Sequence, residues 1–126
     1  MRILLVEDNV DNRNLIVRFL KKSDVQVDVA ENGALGVERF TTGDRYDLVL
    51  MDVQMPVMDG YTAARAIRAW ERDRGAAQTP IVALTAHTME GEELAKCRAA
   101  GCVGFLTKPI GKAELLQGIE TYTTPR

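Results

Sequence analysis

The chain has 126 residues, 46% of them hydrophobic and 27% charged, with a formal net charge of −2. That length suits one domain around one core, expected to span residues 1–126, and the near-balanced charge argues against a nucleic-acid or membrane-surface partner. No apolar run approaches the ~18 residues of a membrane span, and the N-terminus MRILLVEDN lacks a signal peptide's long apolar stretch and cleavage site.

Ile3 to Val6 is a short aliphatic run that stops at Glu7-Asp8, the pattern of a strand covered on both faces. Asn9 to Asp11 supply capping oxygens for a helix through about Lys22, with Ile16, Phe19 and Leu20 inward and Arg13, Arg18 and Lys21 toward water. Val25, Val27 and Val29 alternate with polar residues, as in a half-covered outer strand. Asn32-Gly33 opens a second helix, apolar at Leu35, Val37 and Phe40 and closed by Gly43. Leu48 to Met51 is a buried strand ending at Asp52, and Asp59-Gly60 caps a third helix with Ala63, Ala64, Ile67 and Trp70 inward. Arg65, Arg68, Arg72 and Arg74, mixed with Glu71 and Asp73, read as a solvated charge run on that helix. GAAQTP is a loop, and Ile81 to Leu84 is a fourth strand leading to Thr85-Ala86-His87. A helix over Glu90 to Ala100 points Leu94 and Cys97 inward and ends at Gly101. Val103 to Leu106 is a fifth strand, followed by Thr107-Lys108-Pro109. Gly111 and Glu114 form a weak capping box for a last helix to about Tyr122, and the tail TTPR reads as frayed. Met51, Met55, Met58 and Met89 read as packing around the loops.

Five strand–helix repeats imply an α/β fold with a parallel sheet and helices on both faces. In such a sheet the carboxyl ends of all strands share one edge, where open α/β sheets place their chemistry. The residues that follow the strands are Glu7 and Asp8, Asp52, Thr85 and Lys108. Three carboxylates a few ångströms apart repel, at about 4 kcal/mol per ionised pair for ~4 Å and an effective dielectric near 20. Lys108 offsets one charge. A hard divalent cation with oxygen ligands is the natural addition, and Mg²⁺ suits a site of few carboxylates and several waters. Asp52 then reads as a nucleophile toward phosphorus, Lys108 as a stabiliser of the transferring group, and Thr85 as a hydroxyl with two positions and hence a switch.

The motifs VEDN, MDVQMPVMDG, ALTA and KP, at this spacing, resemble the receiver domains of two-component response regulators over essentially the whole chain. ALTA and the C-x-x-A-G piece from Cys97 to Gly101 are most similar to receivers of hybrid sensor kinases. The resemblance implies a flavodoxin-like fold with five strands in the order 2-1-3-4-5. It implies Asp52 as phosphoacceptor, and Glu7, Asp8 and Asp52 as Mg²⁺ ligands together with the backbone carbonyl of Gln54. Thr85 would be the switch hydroxyl, Lys108 the phosphate-binding amine, and Pro109 the partner in a cis Lys108-Pro109 bond. Phe105 falls where relatives carry a switch aromatic, and lacking a hydroxyl it would act sterically. Glu7 stands where many relatives have Asp, which bears on whether it touches the metal directly. The implied partner is a histidine kinase or histidine phosphotransfer protein. The surface of the fourth helix, fifth strand and fifth helix would meet a downstream target, in the cytoplasm, without nucleic acid or membrane contact.

Two rivals remain at this level. A haloacid dehalogenase-like phosphatase also passes through an aspartyl phosphate, but its nucleophile follows the first strand, usually as Asp-x-Asp. Here the first strand ends Glu-Asp-Asn and the nucleophile follows the third. A flavodoxin-like electron carrier needs a phosphate-cradling loop after the first strand, where Glu7-Asp8 would repel a flavin phosphate. His87, two residues after Thr85, and Gln54, two after Asp52, stand where they would influence access of water to phosphorus. Otherwise His87 reads as a solvated loop residue. Cys97 reads as a small buried helix residue and Cys102 as a spectator thiol; the pair fits no disulfide framework or metal knuckle and points to a reducing compartment.

Overall fold

Aliphatic runs with no polar interruption cannot face water on either side, and here they become the inner strands of one parallel sheet. The computed structural model describes residues 1–43, 45–55 and 57–124. The elements alternate as β1 (Arg2–Val6), α1 (Val10–Leu20), β2 (Gln26–Ala30), α2 (Gly33–Thr42), β3 (Leu48–Asp52), α3 (Gly60–Arg74), β4 (Ile81–Thr85), α4 (Gly91–Ala99), β5 (Gly104–Thr107) and α5 (Lys112–Thr123). The strands lie in the order β2-β1-β3-β4-β5, all pairs parallel, as expected. Residues of β3 and β4 are buried throughout, whereas β2, at an edge, is largely half-covered.

Side chains alternate across each strand, which divides the core in two. Leu4, Val6, Val49, Met51, Ile81 and Ala83 face α2, α3 and α4, where they meet Phe40, Ala63, Ala64, Ile67 and Cys97. Ile3, Leu5, Leu48, Leu50, Val82 and Leu84 face α1 and α5, where they meet Ile16, Leu20, Leu115 and Ile119. The methionines join the first of these layers, Met51 and Met89 buried, Met55 and Met58 packed against it.

Several expectations change in three dimensions. α1 stops at Leu20, with turns at 21–24, and β5 runs one residue later than its apolar run indicated. In α2, Leu35 is exposed and Gly36 takes the inward position, because a Cβ there would stand 2.7 Å from a Val6 methyl. Arg13 does not simply face water; its Nη1 donates to the Glu7 carbonyl at 3.2 Å. The charge run on α3 is not all solvated. Arg68 and Glu71 are 4% and 2% exposed and form a 2.6 Å ion pair. The expected box at the start of α5 is absent as a side-chain hydrogen bond, although Gly111 is the cap residue. Pro56 of the MDVQMPVMDG loop, and Pro125 and Arg126 of the tail expected to fray, lie outside the described residues.

Candidate functional site

The chain order reverses between β1 and β3: β1 leads on to β2 on one side, while β3, β4 and β5 build out on the other. At such a switch point the loops diverge and leave a crevice at the carboxyl edge. Val6 lies opposite Met51, so the next residues, Glu7 and Asp52, emerge side by side at that crevice. Thr85 lies opposite Thr107, and Lys108 leaves β5 one residue later. The Lys108 backbone N–H donates to the Thr85 carbonyl at 2.7 Å, and the Lys108-Pro109 peptide is cis. From there the lysine ammonium stands 2.9 Å from Glu7 Oε1 and 3.0 Å from Asp52 Oδ2.

Both carboxyl groups are taken out of water: Glu7 is 0% and Asp52 2% exposed. Burial, then the carboxyl–carboxylate hydrogen bond with Glu7, pushes Asp52 up to about 7, against a backbone N–H of Gln54 and the Lys108 ammonium. For Glu7, burial raises the pKa. The hydrogen bond from Asp52 and the Lys108 ammonium oppose it, and the balance falls below the ordinary carboxylate range. One ammonium does not neutralise the pair.

Asp8 is exposed beside them, and Glu7, Asp8 and Asp52 each offer an oxygen within 4.8 Å of the others. Glu7 Oε1 is buried with no aligned hydrogen bond, its 2.9 Å contact with Lys108 being an ion pair. A buried oxygen with free lone pairs, in an all-oxygen donor set short of positive charge, fits a hard divalent cation.

The remaining expected residues take the following places. The Gln54 N–H donates to Asp52 Oδ1 at 3.0 Å and leaves Oδ2 to Lys108. Thr85 is buried at the end of β4, where its Oγ1 accepts from the His87 N–H at 3.5 Å. The His87 ring lies out in solvent, and its Nε2 is 2.8 Å from Glu93 Oε1 on α4. Phe105 is half-buried against the α2–α3–α4 side of the core. Pro109 is exposed.

Three features of the site escaped the residue patterns: a backbone contact that Asn9 makes beyond its expected cap, and the places of Gly60 and Val57. Asn9 caps α1 by accepting from the Asn12 N–H at 2.9 Å, and its own N–H reaches Glu7 Oε2 at 3.4 Å. Gly60, read only as part of a cap, lets the start of α3 approach β3. A Cβ there would overlap the Asp52 carbonyl oxygen and stand 2.9 Å from Val53 Cα. Val57 has φ 71° and is 84% exposed, a conformation β-branched residues rarely adopt, in the loop that follows Asp52. No local pattern marks these, since each follows from contacts across the crevice or from loop geometry.

The response regulator receiver domain family model matches residues 3–120. The chain belongs to that family. The sensor protein GacS of Pseudomonas syringae pv. syringae is 43% identical over 122 residues, covering 97% of this chain, while the chain spans 13% of that kinase's length. The receiver domain of the Pseudomonas aeruginosa sensor histidine kinase PA1611, with magnesium coordinated in its active-site cleft, superposes with a TM-score of 0.83. It is 38% identical, covering 97% of this chain and 96% of that one. The co-crystal structure of the Saccharomyces cerevisiae histidine phosphotransfer protein Ypd1 with the receiver domain of Ssk1 gives a TM-score of 0.91. That match is 34% identical and covers 98% of this chain and 88% of that one. The protein is thus a receiver domain of the two-component and phosphorelay type, with the flavodoxin-like order 2-1-3-4-5. The haloacid dehalogenase-like and flavin-carrier readings fall away. Among the described residues of the receiver, no helix is long and apolar enough to cross a membrane.

Proposed function

We infer that this receiver accepts a phosphoryl group on Asp52 from a phosphohistidine, and that the acylphosphate changes the surface formed by α4, β5 and α5. The observation that carries this is the buried cluster in which Lys108 Nζ bridges Glu7 Oε1 and Asp52 Oδ2 at 2.9 and 3.0 Å. An Asp52 oxygen attacks phosphorus, the N–P bond breaks, and the leaving imidazole nitrogen keeps its electron pair and takes a proton. The Gln54 N–H fixes one Asp52 oxygen and so aims the other. The Lys108 ammonium spreads the charge of the transferring group. Glu7, Asp8, Asp52 and the Gln54 carbonyl would hold Mg²⁺, which supplies charge neutralisation to the phosphoryl oxygens. The Thr85 hydroxyl then donates to a phosphoryl oxygen, its shift leaves space beside β4, and Phe105 turns inward to fill it.

The domain acts as a phosphoacceptor, and slow hydrolysis of its own acylphosphate resets it. Exposed Gln54 and His87 flank the route by which water arrives. The donor is a histidine kinase or a histidine phosphotransfer protein in the cytoplasm. The Ypd1 co-crystal and the magnesium-bound neighbour support this reading by likeness. The test is labelling by acetyl phosphate in MgCl₂, read by intact mass. The wild-type receiver should gain one phosphoryl group, and Asp52→Asn should gain none. Labelling that survives in Asp52→Asn, or that persists undiminished in excess chelator, rejects the assignment.

A further inference from the structure

α4 ends in a turn built on Gly101, whose φ of +105° suits a residue without a side chain. The Gly101 N–H donates to the Arg98 carbonyl at 2.9 Å, and the Cys102 N–H donates to the Cys97 carbonyl at 3.2 Å. This pair of bonds is the Schellman arrangement, in which the first and last residues of the turn bring their side chains together, normally as an apolar contact. Here those two residues are cysteines, both free and both buried in the same part of the core. With the backbones joined by a 3.2 Å hydrogen bond, standard bond lengths keep the two Cα atoms within about 7 Å, close to the span a disulfide bridges.

We propose that Cys97 and Cys102 are a dithiol couple that a hydroperoxide oxidises to an intramolecular disulfide across the end of α4. The inference goes beyond phosphoryl transfer and does not depend on it. The surroundings favour one thiolate in the pair. The neighbouring thiol, with help from Arg98, holds Cys97 below the usual thiol range despite burial, and the Cys97 side chain together with burial pushes Cys102 up. The Arg68 guanidinium lies over the turn, its Nε and Nη2 donating to the Gly101 carbonyl at 3.1 and 2.7 Å. Access is through α4 itself. Cys97 is the buried side chain of that helix, which is nine residues long, and exposed Val103 follows Cys102. A helix so lightly anchored opens locally more readily than the inner strands.

The chemistry balances. The Cys97 thiolate attacks one peroxide oxygen, the O–O bond breaks, and an alcohol or water leaves with a proton, giving a sulfenic acid. The Cys102 sulfur attacks that sulfur, the S–O bond breaks, and water leaves with the second thiol's proton. Two thiols and one hydroperoxide give one disulfide, one alcohol and one water. The product ties α4 to the start of β5.

The test uses the purified protein, freed of reductant and treated with hydrogen peroxide. Thiols are counted after unfolding, and the link is located by mass spectrometry of non-reduced peptides. Both thiols should disappear together, the chain should lose two hydrogens in mass, a Cys97–Cys102 peptide should appear, and dithiothreitol should restore both thiols. Cys102→Ser should stop at a Cys97 sulfenic acid that dimedone captures, with no link formed. Both thiols surviving at a peroxide dose that oxidises a small dithiol would overturn the proposal. So would oxidation of one cysteine alone to the sulfinic acid, or links only between separate chains.

Discussion

Two clusters of buried charge sit at opposite rims of the sheet, and they are built differently. In the first, Arg68 Nη1 bonds Glu71 Oε1 at 2.6 Å, Nε and Nη2 bond the Gly101 carbonyl, and Glu71 Oε2 accepts the Thr79 N–H at 2.8 Å. One cation meets one anion, and both carboxylate oxygens are engaged. The cluster staples α3 to the α4–β5 turn and to the loop before β4. In the second, two buried carboxyl groups share one ammonium, with Asp8 beside them. The first cluster is complete and holds elements together; the second is short of positive charge and therefore ready to take more. Burial of charge alone distinguishes neither; completeness does.

Breaking the complete cluster should have the largest effect. Arg68→Ala leaves Glu71 charged and buried with half its partners, and should cost about 3–5 kcal/mol of stability, read as a lower urea midpoint at unchanged slope. At the incomplete cluster, added cation should stabilise. Mg²⁺ at a hundred times its dissociation constant should add about 2.7 kcal/mol, seen in denaturation with NaCl of equal ionic strength as control. Asp52→Asn should lose most of that increment.

Asp52→Asn should also reverse the sign seen for Arg68→Ala. Without metal, replacing a charge that burial and Glu7 oppose should raise stability by about 1–2 kcal/mol at neutral pH. The sign follows from linkage. The folded Asp52 pKa, about 7, lies above the ordinary 3.8, so the folded state binds the extra proton and wild-type stability declines as pH rises through that interval. The gap between variant and wild type should therefore widen from pH 4 to pH 7 in chelator, and a constant gap would contradict the charge argument. The smallest effect should come from His87→Ala. Its pair with Glu93 is more than 40% exposed on both sides and should contribute under about 1 kcal/mol, measured as a near-unchanged urea midpoint.

Much of this was legible in the residues. Uninterrupted aliphatics in β1, β3 and β4 announced buried parallel strands, and Asn9, Asn32 and Asp59 do cap α1, α2 and α3 with their side chains. Once the strands are parallel and each side chain after a strand has one edge to go to, Glu7, Asp52, Thr85 and Lys108 must converge. The misreadings share a cause. Leu35 looked inward and Gly36 did not, because helical periodicity carries no information about how close β1 comes. Arg68 and Glu71 looked solvated because their partners, Gly101 and Thr79, lie 33 and 8 residues away in sequence.

The order of strands and helices, the residues at each strand end and their chemical types were thus determined by the sequence, through local pattern and connection rules. Which charges are satisfied was decided only in three dimensions. That depends on distances of about 3 Å between groups from separate elements, and a carboxylate's partner at that range sets whether it staples the fold or awaits a ligand.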